Sequence, residues 1–123
     1  MINTTEIKWL TGPEDKNYPA AASYLNLLYD EITVKALVKR LKKAGISQFK
    51  AKDIFRASCL SVLGVSNSHV EKDQRKIKES KQLSPILLVR DVKNKKIIIA
   101  DGYHRMCAIY SYNEDACIPC KIV

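Results

Sequence analysis

Two short apolar runs near the C-terminal end constrain the fold of this chain most strongly. Ile86-Leu87-Leu88-Val89 and Lys96-Ile97-Ile98-Ile99-Ala100 are each of strand length, and Lys93-Asn94-Lys95 between them is typical of a turn. Continuous apolar runs of this length indicate buried strands. A chain that contains such a pair needs further elements to cover it.

The residues around these runs complete a small core. Ser68 and Glu71 have the spacing of a capping box, which predicts a helix over about 69–80. After the second strand in the sequence, apolar side chains recur at helical spacing up to Tyr112, which predicts a helix. Ala116–Val123 then has the pattern of a last strand. The order strand, strand, helix, strand predicts an α/β fold.

The first half of the chain indicates helices. We expect one helix over Pro19–Tyr29, a second one capped by Thr33, and a short one over Ala51–Ser58. A length of 123 residues fits one domain. We therefore predict a single domain over 1–123, with a mainly helical extension over 1–67 and the core over 68–123.

The apolar content excludes a membrane protein of the helical type. No stretch approaches the roughly 20 consecutive apolar residues that span a bilayer. The opening residues also lack the basic and then apolar run of a secretory signal. We therefore expect a cytoplasmic protein without a membrane partner.

The net charge of +8 is concentrated in one segment. Residues 34–56 carry eight basic side chains and one acidic side chain. Such a block attracts polyanions, so DNA bound without sequence specificity is one candidate partner. The alternative is a solvated helix face with lysines that favour solubility. The candidate nucleic-acid-binding residues are Lys39, Lys42, Lys43, Lys50, Lys52 and Arg56.

The four cysteines predict no metal or redox site. Cys117 and Cys120 have redox spacing, but they lie in a predicted strand and not at a helix start, where a thiol becomes reactive. Cys59 and Cys107 stand alone, and neither pairs with a histidine at zinc-ligand spacing. We expect buried, inert thiols.

The segment from Asp101 to Arg105 holds the residues most suited to chemistry. A strand ends there, Gly102 allows a tight turn, and a helix begins, whose free N–H groups can bind an anion. Arg105 can bind phosphate through two hydrogen bonds, and His104 can donate to phosphate or move a proton. The alternative is structural: Asp101 caps the helix, and Arg105 pairs with Asp101 or Glu114.

This segment resembles the second signature of the ParB/sulfiredoxin superfamily. Partition proteins have Gly-Glu-(Arg/His)-Arg there, sulfiredoxins have Gly-Cys-His-Arg, and this chain has Gly102-Tyr103-His104-Arg105. The order of elements over 68–123 is also similar, including the Pro85-Ile86-Leu87-Leu88-Val89 strand. The chain resembles short bacterial proteins that share Ala-Asp-Gly-Tyr-His-Arg as well. The resemblance implies a ParB/sulfiredoxin-like mixed-sheet domain.

The resemblance also implies roles for individual residues. Gly102, Tyr103, His104 and Arg105 would hold the phosphates of ATP or CTP. Asp101 matches the catalytic aspartate of a branch that phosphorylates free serine, where it would hold Mg²⁺ and act with His104 in catalysis. That branch also uses an upstream Glu, for which Asp53 is only a loose counterpart. Sulfinic acid reduction is not expected, because a sulfiredoxin needs cysteine where this chain has Tyr103.

Three functions follow from these observations. The first is a nucleotide-binding domain with phosphotransferase or hydrolase activity that depends on Mg²⁺. The second is a DNA-binding or nuclease-like module that uses the basic block. Arg56 in that block is also the candidate for an upstream arginine signature of partition proteins, which contacts nucleotide and partner. The third is a regulatory interaction protein whose helical extension, from Pro19 to Gly45, contacts a partner or a second copy.

Overall fold

The computed structural model describes residues 6–61 and 67–123, which form a mixed α/β fold and confirm the predicted fold class. Its elements, in chain order, are β1 (Lys8–Trp9), α1 (Asn17–Leu25), α2 (Glu31–Lys43), β2 (Ser47–Lys50), α3 (Ala51–Ser58), α4 (Ser68–Lys78), β3 (Gln82–Leu83), β4 (Ile86–Asp91), β5 (Lys96–Asp101), α5 (Tyr103–Tyr112) and β6 (Cys117–Ile122).

The central sheet has four strands in the order β2-β6-β4-β5. β4 pairs antiparallel with β5 and parallel with β6, while β2 pairs antiparallel with β6, so the sheet is mixed. A second, two-stranded pairing joins β1 to β3 in parallel. β2, which was not predicted, lies within the predicted helical extension and forms one edge of the sheet.

The sheet is covered on both faces, which explains the uninterrupted apolar run in β4. Side chains alternate between the faces of a strand, so Leu87 and Val89 face α1 and α2, while Leu88 lies in the cluster with α3, α4 and α5. β5 divides its side chains in the same way, with Ile98 in the first cluster and Ile99 in the second. Four consecutive residues of β4, from Ile86 to Val89, are consequently buried.

Two predicted helix caps are wrong by a few residues. α2 is capped by Asp30, whose Oδ1 accepts a hydrogen bond from the Thr33 N–H at 2.7 Å. α4 is capped by Asn67, whose Oδ1 accepts from the His69 and Val70 N–H groups, so Ser68 is the first helical residue. Aspartate and asparagine cap helices at least as well as threonine and serine do, and here they stand one to three residues earlier.

The other differences are at helix ends. α1 ends at Leu25, where the sequence analysis extended it to Tyr29, and the next residues form turns. The predicted loop over 64–67 lies mostly outside the described residues. Within the described ranges, no helix combines the length and apolar character needed to cross a membrane.

Candidate active site at the start of helix α5

The turn between β5 and α5 requires glycine. Gly102 has φ +109°, in the left-handed region that residues with a Cβ rarely adopt. A Cβ at this position would lie 2.8 Å from Ile86 Cγ1 and 2.9 Å from Arg105 Nη2. The chain therefore needs Gly102 both for the backbone conformation and for the close approach of β4.

Asp101 and Arg105 form an ion pair across this turn. Arg105 Nη2 donates to Asp101 Oδ2 at 2.8 Å, and the two side chains are only 17% and 15% exposed. The same nitrogen lies 3.4 Å from the Pro85 carbonyl oxygen. Of the alternatives left open by the sequence, the structure shows the pairing of Arg105 with Asp101. It does not show Asp101 as the helix cap, which is Gly102.

The first turn of α5 is left without a side-chain cap. Gly102 occupies the N-cap position, and no side chain accepts a hydrogen bond from the first N–H groups. Helix N-terminal N–H groups without intrahelical partners attract anions, and the helix dipole adds to the attraction. This end of α5 is consequently suited to an oxyanion.

His104 lies beside a second histidine from α4. The ring centroids of His104 and His69 are 4.7 Å apart, and the Tyr103 ring lies 5.7 Å from that of His104. Partial burial lowers the pKa of His104, and the neighbouring His69 lowers it further. His104 is thus kept neutral at pH 7, so its ring can accept a proton.

Tyr103 ties the site to the segment after α3. Its hydroxyl donates to the Ser61 carbonyl oxygen. Burial raises the pKa of Tyr103, so the phenol stays protonated and keeps donating. Tyr103 is therefore a positioning residue in this arrangement.

One face of α4 supplies the opposite wall. His69, Lys72, Asp73 and Lys76 are spaced three and four residues apart, which places them on one side of a helix. Together with Asp101–Arg105 they line an open cavity of about 210 Å³, here named the α4–α5 cleft. These four residues were not predicted as part of the site, although their helical spacing is visible in the sequence.

Asp73 is a second carboxylate in the α4–α5 cleft. The residue is only 8% exposed. Burial raises its pKa, although the positive charges of Lys76 and Arg105 act in the opposite direction. Three permanent cations (Lys72, Lys76 and Arg105) thus face two carboxylates (Asp73 and Asp101), and the cleft carries an excess of positive charge.

The predicted nucleic-acid-binding residues do not form one surface. Lys39, Lys42 and Lys43 lie on α2, on one side of the sheet, while Lys52 and Arg56 belong to α3 on the other side. Two of these cations are also paired. Lys52 Nζ lies 2.6 Å from Asp115 Oδ1, and Arg56 Nη1 lies 3.9 Å from Asp53 Oδ1.

Lys50 ends β2 and is exposed at the sheet edge. Asp53, the loose counterpart of an upstream base, lines a different cavity, together with Phe49 and Ile122. The structure therefore does not bring either residue to the α4–α5 cleft.

The cysteines are partly as expected. None of the four cysteines, all within the described residues, forms a disulfide, and burial raises the pKa of Cys120 to about 12, which makes it unreactive at neutral pH. Cys107 is buried as well. Cys59 and Cys117 are exposed, so the prediction of burial is wrong for these two. Over residues 6–61 and 67–123, no three His, Cys, Asp or Glu side chains converge as a metal site.

Three comparisons of the chain with known proteins found no match. No family model matches the chain, and no curated protein or solved structure has significant similarity to it.

Proposed function

We propose that the α4–α5 cleft binds the phosphate groups of a nucleoside triphosphate, ATP or CTP. The observation that carries the proposal is the convergence of Lys72 and Lys76 with the uncapped start of α5 around one cavity. Helix N–H groups and lysine ammonium groups are the donors that proteins commonly use for phosphate. The resemblance of Gly102-Tyr103-His104-Arg105 to the nucleotide-binding signature of the ParB/sulfiredoxin superfamily supports the same ligand.

The size of the cleft limits how much of the nucleotide it holds. Pockets that enclose a drug-sized ligand usually measure about 300–1,000 Å³, whereas the α4–α5 cleft measures about 210 Å³. The phosphate chain enters the cleft, and the nucleoside lies along its open side. Most of the affinity then comes from charge, and the base contributes little.

Magnesium fits this arrangement as a partner of the phosphates. Mg²⁺ usually takes one or two carboxylates from a protein and its other ligands from phosphate and water. Asp101 and Asp73 both line the cleft and offer two carboxylates. Asp101 would have to exchange its ion pair with Arg105 for the metal, and Arg105 would then be free to bind phosphate oxygens.

Turnover is the second part of the proposal. His104 accepts the proton of the attacking water or hydroxyl group, because its lowered pKa keeps the imidazole neutral at pH 7. The oxygen of that group bonds to the γ-phosphorus while the bond to the β-phosphate oxygen breaks, and the nucleoside diphosphate leaves. Lys72, Lys76 and Arg105 neutralise the charge that develops during this transfer. Asp101 and His104 are the catalytic residues in this account.

A thermal-shift experiment tests the binding step. ATP, CTP, GTP, inorganic tripolyphosphate and adenosine are titrated with and without Mg²⁺. A ligand at one hundred times its dissociation constant adds about 2.7 kcal/mol of stability. We expect the triphosphates and tripolyphosphate to raise Tm, and adenosine to leave it unchanged. A shift with adenosine alone, or with none of these compounds, would reject the proposal.

A further inference from the structure

A second cavity lies on the opposite side of the sheet, between α1 and α2. It measures about 360 Å³ and is here named the α1–α2 groove. Its apolar floor is formed by Ala22, Val34 and Val38, and its polar rim by Asn26, Glu31, Lys35, Lys39 and Lys42. Neither the phosphate ligand nor the proposed turnover uses this surface.

The rim of the groove is strongly basic. Lys35, Lys39 and Lys42 follow one another at intervals of four and three residues, so they form a stripe along α2. Lys35 Nζ lies 3.3 Å from the exposed Glu31 carboxylate, and Lys42 Nζ lies 5.6 Å from the centre of the Tyr18 ring. Lys39 forms no ion pair with any described residue.

Two large apolar side chains at and before the start of α2, where Glu31 lines the groove, stand in solvent. Ile32 in the first turn of α2 is 83% exposed, and Leu27 in the preceding turn is 81% exposed. An apolar floor with a mainly basic rim, three lysines against Glu31, matches an amphipathic helix whose flanks carry negative charge.

We propose that the α1–α2 groove binds an acidic amphipathic helix of a partner protein. Carboxylates on the flanks of that helix pair with Lys35, Lys39 and Lys42, and its apolar stripe covers Val38 and the exposed Ile32. A second copy of this chain fits less well, because it would bring the same lysines against each other. DNA fits less well too, because an apolar floor offers nothing to phosphates.

A model peptide tests the proposal. A fluorescein-labelled peptide of about five helical turns carries leucines at positions i, i+4, i+7 and i+11 and glutamates on both flanks. We expect fluorescence anisotropy to show saturable binding that weakens as salt is added. A peptide with lysine flanks, and one with serine in place of leucine, should each bind at least about tenfold more weakly.

Variants of residues that line the α1–α2 groove test whether the peptide binds there. Lys39→Glu should weaken binding of the acidic peptide at least about tenfold, whereas Lys78→Glu on α4 makes the same charge change and should not. Val38→Asp, which places a charge on the apolar floor, is the second variant and should also weaken binding of the acidic peptide. Circular dichroism checks that this variant is folded. In NMR spectra of the isotope-labelled protein, the peptide should change the amide chemical shifts of α1 and α2 only.

Any one of the following outcomes would overturn the proposal. The first is equal affinity for the acidic and basic peptides or equal binding by Lys39→Glu and the wild type. The second is a duplex DNA that displaces the peptide and shifts the α2 amides more strongly. The third is a dimer, seen by sedimentation, that excludes the peptide from the groove.

Discussion

Arg105 Nη2 lies 2.8 Å from Asp101 Oδ2, and this ion pair closes the turn at which the predicted site begins. Both side chains are more than four-fifths buried, so water screens the attraction between the two charges only weakly. The turn also depends on Gly102, whose missing side chain leaves room for the Arg105 guanidinium. The signature therefore has a structural role as well as the proposed chemical one.

Removal of Arg105 should destabilise the fold measurably. Arg105→Ala leaves the Asp101 carboxylate mostly buried without its cation, which should cost about 2 kcal/mol. Urea unfolding measures the loss. Arg75→Ala is the matched control, because Arg75 pairs with Glu71 at the same spacing but in solvent, where such a pair contributes about 0.3–0.5 kcal/mol. Equal losses in the two variants would contradict the structural role of the Asp101–Arg105 pair.

Substitution of Gly102 should be costly in itself. Gly102→Ala forces a Cβ into the left-handed backbone and against Ile86 Cγ1, so we expect a loss of about 1–3 kcal/mol in unfolding free energy. Gly45→Ala is the control. A Cβ at Gly45 meets nothing within 4 Å, and its backbone is not left-handed. If both variants unfold at the same urea concentration, the described turn is incorrect.

His104 should make stability depend on pH. Its pKa in the folded protein lies below the ordinary value of 6.5, so between these two values the unfolded chain binds more protons than the folded one. Stability should consequently fall as pH is lowered from 7 through 6.5 towards the folded pKa. His104→Gln removes this contribution. We expect Tm of the wild type to drop relative to that of His104→Gln between pH 7 and pH 5, and parallel curves would refute the shift.

Asp73 should show the opposite dependence. Its folded pKa is raised, so the folded state favours the neutral acid, and stability is lost as pH rises through that pKa. Asp73→Asn keeps the size and removes the buried charge. The variant should therefore have a higher Tm than the wild type at pH 7, and the gain should shrink in acid. A lower Tm at pH 7 would mean that Lys76 and Arg105 outweigh the cost of burial.

The sequence predicted the interior strands because their pattern reflects burial on both faces. The four apolar residues Ile86–Val89 predict a strand that is covered on both faces, and β4 contains them. β2 was not predictable in this way. Of its four side chains only Ser47 and Phe49 are even half-buried, and its partner, β6, lies about seventy residues further along the chain.

Of the two walls of the α4–α5 cleft, only the one formed by Asp101–Arg105 was predicted from the sequence. Asp101–Arg105 has a local signature, since a strand end, a glycine and a helix start follow one another. The α4 wall has no such signature, because the spacing of His69, Lys72, Asp73 and Lys76 does not show which helix they face. Contact between α4 and α5 decides that, and it depends on the packing of Val70 and Ile77 into the core.

The most direct test of the phosphate site is calorimetric titration of Mg·ATP and Mg·CTP into three proteins. These are the wild type, the double variant Lys72→Ala/Lys76→Ala and the control Lys78→Ala, in which a lysine outside the α4–α5 cleft is removed. We predict saturable binding to the wild type and to Lys78→Ala, and affinity at least about tenfold weaker in the double variant. Equal affinity in all three proteins, or no binding to the wild type, would contradict the account.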